Sequence, residues 1–196
     1  MDELGAKARI LTGILAEGKS TPFEKMTVSS ICEAAGINRQ TFYRHFKDKY
    51  DVSSWFTHRL IDRTCRQIGL TVGWREGYYA FFKLAERNIS LLQTFHRSRD
   101  RNSIYHDTIR TSYSDYIAGY RARQGKDPDE LIDFQARRFA VTATSTTEEW
   151  IMEGGVIPAD RVVDLDISLV PRELFVALDM PENGSMPSDE MLLLMS

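Results

Sequence analysis

The chain has 196 residues, 42% of them apolar and 27% charged. That is enough apolar material for a sizeable core, at a charge density typical of globular proteins, which excludes a chain disordered throughout. The net charge of −3 hides a split: residues 1–70 carry 11 Lys and Arg against 8 Asp and Glu, whereas residues 71–196 carry 14 against 20. The N-terminal third is the end suited to an anionic partner.

Cys32 and Cys65 stand 33 positions apart with no CxxC, which excludes a disulfide-dense scaffold and a cysteine-based zinc site. Met1-Asp2-Glu3 is acidic and no apolar segment follows it, so a secretory signal is not expected. No stretch approaches 18 apolar residues, so no transmembrane helix is expected either. The expected location is the cytoplasm.

The elements read as helices almost throughout. Ala6, Ile10, Ile14, Leu11 and Leu15 at i, i+4 spacing predict a first helix over 3–17, stopped by Gly18 to Pro22. A short second helix over 27–34 has Thr27 as N-cap, with Met26 and Ile31 placed for a hydrophobic staple. Ala35-Gly36-Ile37 is a turn, and Asn38 caps a third helix whose Phe42 and Phe46 face inward. A fourth helix is expected from Asp48 to about Ile68, followed by a glycine-containing joint at 69–77. Residues 74–120 then hold ten of the 21 aromatics. A long helix over 129–153 carries a run of small and β-branched residues, Ala140 to Thr147. Pro158 suits the first turn of a further helix, and Pro171 must end or kink it.

Two short helices joined by a turn that contains Gly36 make a helix-turn-helix candidate. The outer face of the third helix gives the pattern its chemistry. An arginine such as Arg39 can take guanine O6 and N7 bidentately, and a glutamine such as Gln40 can do the same with adenine N6 and N7. Thr41 offers a methyl and a hydroxyl, and all three residues stand in the turn that meets base edges in such motifs. Tyr43, Arg44 and His45 follow, suited to phosphates, and Lys49 adds a cation near the start of the next helix. A solvated helix face is the alternative reading of Arg39 and Gln40.

Residues 23–50 closely resemble the signature of the TetR family of bacterial transcription regulators. The matching parts are Thr27-Val28, Ala34-Ala35-Gly36-Ile37, Thr41-Phe42-Tyr43-Arg44-His45-Phe46 and Lys47-Asp48-Lys49. The resemblance implies an all-α homodimer that binds palindromic operator DNA. Each subunit would have a three-helix DNA-binding domain with the helix-turn-helix and a larger helical domain for ligand binding and dimerisation. It places Arg39, Gln40 and Thr41 at base edges and Thr27, Tyr43, His45 and Lys49 at phosphates, with Arg44 suited to either. The implied division is 1–47 for the DNA-binding domain, 48–70 for a connecting helix, 71–180 for the regulatory and dimerisation domain, and 181–196 for a flexible tail.

Family members commonly bind a small molecule in the C-terminal domain, so an apolar or aromatic effector is expected there. The aromatic residues Trp74, Tyr78, Phe82, Phe95, Tyr113 and Tyr116 are its candidate contacts, with an ordinary packed core as the alternative. The run Arg97 to Arg101 could recognise an anion, or form a solvated loop. Segment 149–155 resembles the end of the penultimate helix in some members, where the last two long helices pair with those of the partner. Ala140, Ala143, Thr147, Trp150 and Ile151 are the candidate dimer contacts, against an intrachain helix contact.

No GxSxG, P-loop, GxGxxG or HExxH occurs, and the four histidines lack metal spacing, so no enzyme, cofactor or metal is expected. The expected function is a DNA-binding transcriptional regulator, a repressor released by a small molecule. The alternative is a related ligand- or protein-binding member that acts as an activator or has lost operator recognition.

Overall fold

Apolar residues one turn apart bury one face of α1 (Glu3–Glu17), where Ala6, Ile10 and Ile14 are fully enclosed. A computed structural model describes this chain over residues 3–97 and 101–180. Against α1 lies α2 (Val28–Ala35), so close that a Cβ on Gly13 would stand 2.8 Å from the Ala35 Cβ and from the Ile31 carbonyl oxygen. Glycine alone leaves room for that crossing.

Caps set the next boundaries. Thr27 accepts a hydrogen bond from the Ser30 N–H while Ser30 Oγ accepts one from the Thr27 N–H, each at 3.0 Å, a reciprocal capping box. Gly36, at φ +60°, turns the chain out of α2. Arg9 of α1 clamps that turn by donating to the carbonyls of Ala35 (3.2 Å) and Gly36 (2.9 Å). Asn38 Oδ1 then accepts from the Thr41 N–H at 2.7 Å and opens α3 (Arg39–His45). Phe42 and Phe46 seat α3 in the core.

Asp48 caps α4 (Lys49–Asp62), accepting from the N–H groups of Tyr50 and Asp51. This helix ends short of the expected Ile68. The Thr64 hydroxyl donates to the Leu60 carbonyl at 2.7 Å, and a 3-10 turn over Cys65–Gln67 drives Ile68 into the core. The joint is therefore 63–73, and Gly77 lies inside α5 (Trp74–Arg87).

The remaining helices are α6 (Ile89–His96), α7 (Arg101–Gln124), α8 (Glu130–Met152), α9 (Ala159–Ser168) and α10 (Arg172–Leu178). Pro158 opens α9, and Pro171 separates it from α10, so the chain ends its described part on two short helices. The fold is all-α, with ten α-helices and no strand among the described residues. None of these helices is long and apolar enough to cross a membrane. The tail expected over 181–196 lies outside the described residues, as does part of the Arg97–Arg101 run.

One apolar core runs through both ends of the molecule. Trp74 anchors the C-terminal part, with ring centroids 5.4 Å from Tyr116 and 5.6 Å from Phe139. Phe95 of α6 reaches the other part, 5.1 Å from Phe23 and 6.0 Å from Phe56 of α4.

Candidate nucleic-acid interface and cavity

The caps at Thr27 and Asn38 and the burial of Phe42 decide which side of α3 faces water. Arg39, Gln40, Tyr43 and Arg44 are exposed, and Thr41 is half-buried. The Arg39 guanidinium lies over the Tyr43 ring, 5.8 Å from its centroid. Exposed guanidinium, amide and phenol groups thus share one short helix, the inventory that base edges and phosphates require. Thr27 is exposed, although its hydroxyl already serves the cap of α2. His45 is half-buried with Nε2 enclosed, which takes that nitrogen out of reach of a phosphate. Lys25 and Lys47 are exposed cations in the segments flanking α2 and α3, and neither was among the DNA contacts expected from the sequence.

Lys49 departs from its expected role. Its ammonium is buried and donates to three carbonyls, those of Phe23 (2.7 Å), Glu24 (2.6 Å) and Met26 (2.8 Å). An ammonium has three protons, and all three are used. Burial pulls its pKa below the usual lysine value, opposed by Glu24, Glu17 and Asp48. The residue ties the start of α4 to the loop before α2, and it has no proton left for a phosphate.

The aromatic candidates divide. Tyr78 and Tyr116 line a partly open cavity between helices. Trp74, Phe82 and Phe95 are fully enclosed in the core instead, where ring-to-ring packing consumes their faces. Tyr113 is half-buried and donates a hydrogen bond to Asp133, which pushes the phenol pKa up. Inside the cavity wall, Tyr78 and Tyr116 share a 3.0 Å hydrogen bond, and burial holds both phenols neutral. Cys65 stands beside them, its thiol pushed up to about 12 by burial.

The dimer candidates turn the opposite way from expectation. Ala140, Trp150 and Ile151 are buried in their own chain, and Ala143, Thr147 and Ile151 line the cavity. The small residues of α8 make room for empty space between helices, not for a partner's backbone. At about 100° per residue, Leu131, Phe134 and Val141 fall on the opposite side of α8, and these are exposed.

The cavity also has a wall that sequence reasoning missed. Thr57, Leu60 and Ile61 of α4 line it together with Thr108 and Ser112 of α7. The spacing of Leu60 and Ile61 marks them only as apolar, so nothing local distinguished cavity lining from core. Outside the cavity His58 of α4 lies 2.9 Å from Asp107 of α7, and Arg66, in the 3-10 turn that follows α4, pairs with Asp115 of α7 at 3.0 Å. Among the described residues no group of three or more His, Cys, Asp or Glu side chains is arranged to hold a metal ion.

Comparison with known proteins follows the same division. The family described as bacterial regulatory proteins, tetR family, matches residues 10–52, which run from the middle of α1 through α2 and α3 into the start of α4. No curated protein matches the chain as a relative. Among solved structures, that of the dihydroxyacetone kinase operon activator DhaS shares the fold, with a TM-score of 0.63 and 18% sequence identity, covering 89% of this chain and 98% of that one. Signature, helix order and exposed recognition face agree on the N-terminal part: residues 10–52 are similar to the DNA-binding segment of bacterial regulatory proteins of the tetR family.

Proposed function

We propose that the chain acts in the cytoplasm as a homodimer that represses transcription from a palindromic operator and is released by a small molecule. The observation that carries this reading is the shared helix α4. Its first turn follows directly on the recognition helix, and its middle, Thr57 to Ile61, forms one wall of the cavity. A ligand that prefers a different position of α4 shifts the recognition helix with it, provided it binds the two positions unequally.

In a two-fold dimer, the paired recognition helices enter successive major grooves, roughly 34–36 Å apart. Leu131, Phe134 and Val141 of α8, with Leu165 and Leu169 at the end of α9, are exposed apolar side chains that suit the same face of a second copy. The proposed base contacts are Arg39, Gln40 and Thr41. The proposed phosphate contacts are Thr27, Tyr43 and Arg44.

Activation is the second reading, favoured by the shared fold with an operon activator. Footprinting on the DNA that flanks the chain's own gene tests the core of the proposal. A protected site with two-fold symmetry is expected; an asymmetric footprint, or none, overturns it. A promoter fused to that site reads the sign of regulation.

A further inference from the structure

Several threonines in this chain satisfy their hydroxyls on a carbonyl of the preceding turn. Thr12, Thr64, Thr94, Thr142 and Thr144 each donate to the carbonyl four residues back, at 2.7 to 3.2 Å. Thr57 does not. Its Oγ1 is enclosed, and among the described residues no donor or acceptor reaches it. Leaving such a hydroxyl unsatisfied is unfavourable, and a native structure that tolerates one invites a partner.

Thr57 of α4 lines the cavity, as do Thr108 and Ser112 of α7. Leu60, Ile61, Phe81, Leu92 and Ile151 supply the apolar body of the wall. The described lining residues include no Lys or Arg. Their one carboxylate is that of Glu148, with Oε1 3.9 Å from His96 Nδ1. A buried anion needs a countercharge, and among the described lining residues only His96, already beside Glu148, could supply one.

We infer that the cavity takes an uncharged, ring-sized molecule bearing one hydrogen-bonding polar group, and that Thr57 on α4 reads that group. The inference rests on the cavity being the effector site of the proposed function. It adds the ligand class and the residue through which the ligand's polar end acts on the helix that leads to the recognition helix.

The test is calorimetric titration of the full chain with three probes of one ring size: benzyl alcohol, toluene and benzoate. Benzyl alcohol should bind at least tenfold more tightly than either of the others. In Thr57→Val the advantage over toluene should vanish while toluene binding stays, and Thr57→Ser should restore it. Ala143→Leu, which fills the cavity, should abolish binding of all three. Thermal unfolding of Thr57→Val should occur no lower than in the parent, since the isosteric change removes an unsatisfied hydroxyl. Benzoate binding as tight as the alcohol, an alcohol preference that survives in Thr57→Val, or no binding by any probe overturns the inference. Gel shifts on the flanking DNA separate it from the reading it rests on. Thr57-dependent alcohol binding that leaves DNA affinity unchanged keeps the ligand class and removes the effector role. DNA release by benzoate alone does the reverse.

Discussion

The ring of Phe95 meets that of Phe23 edge-on, with centroids 5.1 Å apart, and so joins α6 to the loop that precedes the helix-turn-helix. Phe95 also packs on Phe56 of α4 and is fully enclosed. It is a seam between the two ends of the molecule, where an effector contact was expected. Phe95→Ala should cost about 3–5 kcal/mol of stability through the cavity it leaves. Amide exchange should rise more in α4 than in α9. Equal rises in both would show that the seam does not localise the coupling.

Arg39 carries the sharpest statement about recognition. Arg39→Ala should lose about 1–3 kcal/mol of discrimination at one base position and leave the others intact. Affinity for operator variants, measured by gel shift, reads this. A uniform loss across all sequences would move Arg39 to the phosphate contacts.

Lys49 separates stability from DNA binding. Lys49→Met should destabilise the fold by about 2–4 kcal/mol, because three carbonyls lose their donor. The salt dependence of DNA binding should keep its slope. Arg44→Ala should flatten that slope by about 0.9, as expected for one lost phosphate contact. A flatter slope in Lys49→Met would return Lys49 to the phosphate set.

Asp166 of α9 is buried, and that burial raises its carboxyl from 3.8 to about 6, against a lowering hydrogen bond from Thr146. A raised acid favours the fold while protonated. Its contribution is fully present below 3.8 and is lost as pH rises through about 6, a decline of up to about 3 kcal/mol. Above that window the curve should be flat. Urea unfolding of Asp166→Asn should lack the decline between pH 4 and 6, and a decline identical to the parent's would assign it to other groups.

Phe134, 57% exposed, stands on the outer side of α8. Phe134→Asp should convert a dimer to monomers in sedimentation and weaken operator binding with it, because each half-site then binds alone. A dimer that persists would place the interface elsewhere.

The helix-turn-helix was legible because its signals are local: Thr27, Gly36 and Asn38 cap their own helices, and Phe42 decides which side of α3 is buried. Lys49 misled because its partners lie 23 to 26 residues away, in a loop whose carbonyls no local pattern announces. On α8 the periodicity marked the right residues and could not say what they faced. Small side chains such as Ala143 and Thr147 leave space, and whether a neighbouring helix or a cavity occupies it depends on α4 and α7. The early end of α4 has the same origin, since Ile68 leaves the helix to fill a core built largely by later residues.

The fourteen residues of α4 tie selection for two properties together. A substitution at Thr57, Leu60 or Ile61 alters the wall of the cavity and the posture of the reading head at once. Lineages that acquire a new inducer while keeping their target genes should therefore vary on α6, α7 and α8 and conserve the middle of α4.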